Sequence, residues 1–290
     1  MELKHTATRE GRLSSFLREE MGISAGLMNR LKWKEMLFVN GVAQHTDYPV
    51  KAGDVITVPL DDPKADYPAQ QGELTILYED EHLLAVDKPA GMLIHPSRSR
   101  LTDTLANFVL GYYEKTGQSC AFHPVTRLDR DTFGIVLLAK NAHVHALCNS
   151  VHNEGKLEKY YRALVYGGPE EEAGIIDAPI ARLPLPSLLR QVSPTGKPSR
   201  TAFQVLCREK GYTKLELQAI TGRTHQLRVH CAYRGYPIIG DPQYNTPESQ
   251  AYSQSKNCHT QLLCAHRLVL PHPITGEDLV LTSGLDAILD

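Results

Sequence analysis

Apolar positions along this chain recur with two different periods. Leu13, Phe16 and Leu17 share a helical stripe, and a second helical stretch over residues 24–33 carries Leu27 and Leu31 beside the basic Arg30, Lys32 and Lys34. Short strands are predicted at 37–39, running into the Asn40-Gly41 turn, and at 55–58 after Gly53-Asp54. Residues 59–72, PLDDPKADYPAQQG, have no apolar period and read as a linker. Beyond it, strands are expected at 74–78 and 83–86, then a helix over 102–113 with Leu105, Phe108 and Val109 on one face.

The run from Ile135 to Ala139 is continuously apolar, which suits a strand covered on both faces. A helix over 142–154 follows. Strict alternation over 156–167 predicts a strand with Tyr161, Ala163 and Val165 on one face and Tyr160, Arg162, Leu164 and Tyr166 on the other. Residues 168–199 hold short strands at most. Residues 201–206 and 213–220 form an antiparallel pair about Lys210-Gly211, and a helix begins after Gly222, capped by Thr224 and ended by Gly235 and Pro237. Arg228 then falls on its second turn.

Composition narrows the class. A chain of 290 residues suits one large domain plus a small one. No stretch approaches the ~20 apolar residues that span a bilayer, and the start lacks the apolar core of a signal peptide, so no membrane association and a cytoplasmic location are expected. The six cysteines are scattered without a C-x-x-C pair, which indicates neither a disulfide framework nor a zinc ribbon. Cys258, His259, Cys264 and His266 match no standard zinc spacing, and His143, His145 and His152 are expected at the surface of their helix. No metal site is expected.

A net charge of −2 argues against binding nucleic acid through bulk charge. Between Arg200 and Gly240, however, seven basic residues stand against two acidic ones, the balancing acid lying at 61–66 and 170–172. Such segregation suits a polyanion-binding face on a neutral protein.

The candidate chemistry centres on residues 123–140, HPVTRLDRDTFGIVLLAK. Arg127, Asp129, Arg130 and Asp131 crowd into five residues ahead of the buried strand. A loop on such a support commonly carries function, although the same charges pairing in a solvated turn would read identically. Arg223 and Arg228 equally suit a helix end that holds water or phosphate. Tyr161, read alone, is a core tyrosine with its hydroxyl satisfied.

Taken together, these stretches resemble a known family. Arg127-Leu128-Asp129 with Thr132 and Gly134, Lys159-x-Tyr161-x-Ala163-x-Val165-x-Gly167, and residues 221–230 in TGRTHQLRxH look like the ordered motifs of the large-ribosomal-RNA (RluA-type) pseudouridine synthases. Lys88-Pro89-Ala90-Gly91, His95-Pro96-Ser97 and Ala265-His266-Arg267-Leu268 fit the same family. Thr126 stands where histidine is common and Phe133 where serine is common, a change expected to reshape the pocket wall. Arg12-Leu13, Phe16-Leu17, Phe38-Val39-Asn40-Gly41 and Ala52-Gly53-Asp54-Val55-Ile56 resemble the S4 RNA-binding domain.

The resemblance implies an α+β fold, with a mixed, mostly antiparallel sheet flanked by helices over residues 73–290. An S4-like unit over 1–60 and a linker over 61–72 would precede it. It implies isomerisation of uridine in structured RNA, most often ribosomal and otherwise transfer RNA, without cofactor, and a monomer is expected. Asp129 would be the catalytic carboxylate, by a covalent or a glycal route. Tyr161 would stack on uracil, and Arg228 would keep the carboxylate ionised in a dry pocket. Arg127 would fill the space left by the flipped base, and Arg223, His225 and Gln226 would help hold substrate. A non-catalytic RNA-binding protein and a uridine N-glycosidase are the alternatives.

Overall fold

The computed structural model of the chain describes residues 2–60, 67–97 and 100–289. The first elements are β1 (Glu2–Thr6), β2 (Gly11–Arg12), α1 (Leu13–Ser15), α2 (Ala25–Trp33), β3 (Phe38–Val39), β4 (Val42–Ala43), β5 (Pro49–Val50) and β6 (Val55–Pro59). After α1 the helix widens into a π-turn over Phe16–Glu20. Ser24 caps α2 through Leu27 N–H. The sheet runs β1-β6-β3-β4, and Leu13, Phe16, Leu17, Leu31, Val39, Ile56 and Val58 close a core of their own beneath it. The central residues of the expected linker, 61–66, lie outside the described residues. Its end is packed rather than free: Gln70 N–H donates to Asn107 O, and the Gln70 side chain pairs with Asp103.

The larger part comprises β7 (Thr75–Glu79), β8 (Leu83–Lys88), α3 (Leu105–Lys115), β9 (His123–Pro124), β10 (Phe133–Ala139), α4 (Ala142–Asn153) and β11 (Glu158–Tyr166). It continues with β12 (Ala173–Asp177), β13 (Ile180–Arg182), β14 (Arg190–Val192), β15 (Arg200–Glu209), β16 (Tyr212–Ala219) and α5 (Gln226–Tyr233). Last come α6 (Pro247–Ser255), β17 (Leu263–Pro271) and β18 (Asp278–Thr282). The main sheet runs β12-β15-β16-β11-β17-β10-β8-β7, with β18 added beside β17 and β9 beside β10. Among the described strands of this sheet only the β10–β17 pairing is parallel, so the sheet is mixed and mostly antiparallel within an α+β fold.

The double covering expected of the central strand is present. Val136 and Leu138 of β10 pack with Leu105, Val109 and Tyr113 of α3. Ile135, Leu137 and Ala139 pack on the other face with Val144 and Cys148 of α4. Gly134 makes the parallel pairing possible: its φ is +108, and a Cβ there would overlap the Ala265 carbonyl of β17. Gly134→Ala should therefore destabilise the protein by at least about 2 kcal/mol, read as a lower denaturant midpoint in equilibrium unfolding.

Several local expectations are corrected. The helix after Gly222 starts at Gln226, following a left-handed His225 (φ 58), so Thr224 does not cap it and Arg228 lies on its first turn. His143 is buried and hydrogen-bonds the Met21 backbone, and His145 stacks on His123. His152 lines a cleft, so none of the three is a plain surface residue. Phe133 is 3% exposed, packs with Cys264 and Leu289, and takes no part in the cleft wall.

Candidate active site

The sheet order brings the three candidate stretches together. β17 lies between β10 and β11 with Cys264 opposite both Phe133 and Arg162, so the loop ahead of β10 emerges beside the first half of β11. Tyr161 of β11 faces Leu217 near the end of β16, and α5 starts just beyond that end. Leu227 and Cys231 of α5 pack on Ala163, Val165, Leu215 and Leu217, which fixes the helix over this face. Between these elements opens a cleft of about 650 Å³, lined by Arg127, Asp129, Tyr161, Arg223, His225 and Arg228 among others.

Asp129 and Arg228 meet inside it. Arg228 Nη1 donates to Asp129 Oδ2 at 3.1 Å, across 99 residues of sequence. The remaining guanidinium edge is held by Asp241, which no local pattern marked: Nε donates to Oδ2 at 2.6 Å and Nη2 to Oδ1 at 2.8 Å. Gln243 Oε1 accepts from Nη2 at 2.9 Å, and the Tyr244 ring lies 5.0 Å from the guanidinium. Burial opposes this charge, but Asp241 and Asp129 outweigh it and hold the guanidinium above its ordinary value. A planar fork fixed on two sides leaves one N–H edge to aim at Asp129. Asp241 is itself placed by Gly240 (φ 77), where a Cβ would collide with the Thr260 carbonyl, a signal that lies in no helical or strand period.

Tyr161 presents a half-buried ring to the cleft. Desolvation first, and the Asp129 charge second, push its phenol above the ordinary range, so it stays protonated near neutral pH. That state suits packing against a base and not proton removal. Its neighbour Tyr160 points the other way and stacks on Arg267, whose guanidinium carbon lies 3.9 Å from the ring centroid, as strand alternation requires.

His225 Nε2 lies 3.9 Å from Asp129 Oδ2, and its Nδ1 is 2.7 Å from the Tyr244 hydroxyl. That hydroxyl also accepts from Arg190 N–H at 2.9 Å, and when it donates to Nδ1 the Nε2–H tautomer faces Asp129. Burial lowers the imidazole below its usual value. Gln226 borders the cleft, but Oε1 accepts from Arg223 N–H and Thr221 Oγ1, while Nε2 donates to Arg200 O and Thr201 Oγ1. Its amide is fully engaged in shaping the turn. Arg127 is exposed at the cleft mouth. Arg223 touches protein through Nε to Pro198 O at 3.2 Å.

Besides Arg228, three of the seven basic residues over 200–240 meet acids in the fold. Glu172 and Glu171, distant in sequence, fold onto Arg208 and Arg234, and Asp177 pairs with Arg200. Within the opening loop, Arg130 and Asp131 pair bidentately at 2.9 and 2.8 Å. Thr126 accepts the Leu137 amide through Oγ1 at 3.0 Å, its hydroxyl serving the strand.

Lys88, at the end of β8, braces the loop from below. Its fully buried Nζ donates to the carbonyls of Pro89, Met92 and Arg130 at 2.9, 3.0 and 2.9 Å. Desolvation depresses the amine to about 8 although Asp131 and Asp129 favour its charge. A neutral amine has two hydrogens for three carbonyls, so turnover should fall as pH rises through about 8. The folded value lies below the unfolded one, so this group's contribution to stability rises over pH 8–10.5. A falling rate without falling stability in parallel pH profiles separates loop loosening from unfolding.

No helix among the described residues is long and apolar enough to cross a membrane, and no group of three metal-binding side chains comes together among them. A nucleotide-sized cleft, with an acid tied to a gripped arginine and cations at its rim, defines an enzyme site for a polyanionic substrate. A family model described as RNA pseudouridylate synthase matches residues 82–233. The chain is 36% identical over 263 residues to "Uncharacterized RNA pseudouridine synthase YjbO" of Bacillus subtilis, covering 90% of each. It is 32% identical to "Ribosomal large subunit pseudouridine synthase C" of Vibrio cholerae, over 96% of this chain and 91% of that one. The solved structure of Human RNA Pseudouridylate Synthase Domain Containing 1 superposes with a TM-score of 0.60 at 25% identity, over 74% of this chain and 84% of that one. This chain belongs to the RNA pseudouridylate synthase family, in its RluA-type branch. Its activity is that of an isomerase acting on uridine in RNA.

Proposed function

We propose that the substrate is large-subunit ribosomal RNA and that Asp129 is the catalytic carboxylate. The contact of Arg228 Nη1 with Asp129 Oδ2, in a cleft faced by Tyr161, carries this reading. The target uridine leaves its stack at a cost of a few kcal/mol, which Arg127 offsets by entering the vacated space. Its base lies on Tyr161. Asp129 then acts at the ribose or base while the N1–C1′ bond breaks, uracil turns, and C5 bonds to C1′. N1 gains a proton and the C5 hydrogen leaves to water. Arg228 aims Asp129 through its Nη1 hydrogen bond, with His225 close by. The names of relatives, including "Ribosomal large subunit pseudouridine synthase D" of Nitrosomonas europaea at 36% identity, support the choice of RNA.

In this reading residues 1–60 form an S4-like unit that holds RNA through Arg30, Lys32, Lys34 and the 86% exposed Trp33. Residues 73–290 carry the chemistry, and the protein acts as a cytoplasmic monomer. Transcribed large-subunit RNA carrying 5-tritiated uridine is the test. Tritium released without free uracil is the expected result; free uracil would instead indicate a glycosidase, and neither product would remove this RNA as substrate. Tyr161→Phe should keep turnover within about tenfold of wild type if the ring stacks, and a loss on the scale of an acid–base residue, about 10²–10⁴-fold, would assign the hydroxyl a proton-transfer role.

A further inference from the structure

One end of the cleft is used by none of the groups assigned so far. Lys159 stands two residues before Tyr161 on β11, so both side chains take the same face of the strand. At about 3.3 Å of rise per residue, the two anchor points are separated by a length comparable with the reach from a nucleobase to its own backbone phosphate. Burial holds the Lys159 amine below the ordinary lysine value, and no charged neighbour offsets that among the described residues. Lys159 is half-buried, and the buried lysines differ from it. Lys88 meets three carbonyls, and Lys140 meets Glu79, Gln118 and the Asp80 carbonyl. A partly desolvated ammonium without a protein partner is unfavourable for folding, and a binding site is where such a group is retained.

Two neighbours shape the space in front of it. His152 of α4 lines the same end of the cleft, and its Nδ1 is buried without a partner. Gly222 faces the ammonium: a Cβ there would stand 3.4 Å from Lys159 Nζ, so any side chain at this position would press on the space the amine opens into. Lys159 can donate three hydrogens and His152 Nδ1–H a fourth, toward a ligand that has only acceptors.

We propose that Lys159 and His152 bind the backbone phosphate of the uridine whose base stacks on Tyr161. This rests on the reading of the cleft as the uridine site. It adds an anchor on the sugar–phosphate side, separate from the Asp129–Arg228 pair. Once the N1–C1′ bond has broken, uracil and ribose are joined by nothing, and C1′ must stay in place while the base turns. A grip on the phosphate holds the ribose in register for C5 to rejoin it.

Lys159→Met, Lys159→Arg and the unaltered full chain are compared for binding and tritium release on transcribed large-subunit RNA with 5-tritiated uridine. Lys159→Met should raise Kd and KM about tenfold, lower kcat by less, and reduce the slope of log Kd against log salt by about one. Lys159→Arg should recover most of the affinity, and Lys159→Met should melt at a higher temperature than the unaltered chain. An unchanged Kd and salt slope in Lys159→Met would overturn the phosphate site even where the unaltered chain releases tritium. An unaltered chain that binds this RNA and releases no tritium fails the substrate reading instead, and the salt slope of Lys159→Met still decides the phosphate site. Absence of binding by the unaltered chain overturns both.

Discussion

Asp129→Asn is expected to abolish tritium release, with turnover lower by about four orders of magnitude or more, while RNA affinity stays within several-fold. The amide is isosteric and still offers an oxygen to Arg228 Nη1, which now rests on Asp129 Oδ2 at 3.1 Å. The cleft therefore keeps its shape and its cationic rim, and phosphate contacts continue to supply most of the binding. What disappears is the negative charge and its capacity to attack or to accept a proton. Asp131 cannot substitute, because it is buried and paired bidentately with Arg130. Single-turnover tritium release and a binding isotherm on the same RNA measure the two quantities, and retained turnover would remove Asp129 from the mechanism.

Arg228→Leu should be nearly inactive and also destabilised by roughly 3–5 kcal/mol. The second effect comes from Asp241, whose side chain is 0% exposed and would lose both bonds to the guanidinium. The Gln243 and Tyr244 amides, which donate to Asp241 Oδ1 at 2.9 and 3.1 Å, compensate only in part. Pairing Arg228→Leu with Asp241→Leu should restore most of the stability and none of the turnover, since an apolar pair replaces the buried ion pair but nothing faces Asp129. Denaturant melts and rates across this double-mutant cycle separate the structural from the catalytic share. Recovery of activity in the double variant would show that the arginine served packing alone.

The Asp129–Arg228 pair also marks how far a linear reading reaches. Both residues stand out locally, Asp129 in a charged loop ahead of a continuous apolar strand and Arg228 in a helix following a turn. Asp241 does not, because the Gly240 backbone that places it is dictated by the Thr260 carbonyl, a contact with no sequence period. Lys88 was visible as part of a motif, while its three-carbonyl grip on the opening loop depends on residues up to 42 positions away. Gln226, expected to touch substrate, spends its amide on Arg200, Thr201, Thr221 and Arg223.

Periodicity by itself determined the core strands and helices, since burial of a face imposes a repeat of 2 or 3.6 on whichever residues form it. The continuous apolar run of Ile135–Ala139 marked its double covering, and alternation the opposed faces of Tyr160 and Tyr161. Strand order was decided in three dimensions. So were the pairing of Glu171 and Glu172 with Arg234 and Arg208, and the half-burial of Lys159 without a charged partner among the described residues. Charge acts through space over a few ångströms whatever the separation along the chain, so which cations remain free for RNA emerges only when the sheet has brought their acids near or left them alone.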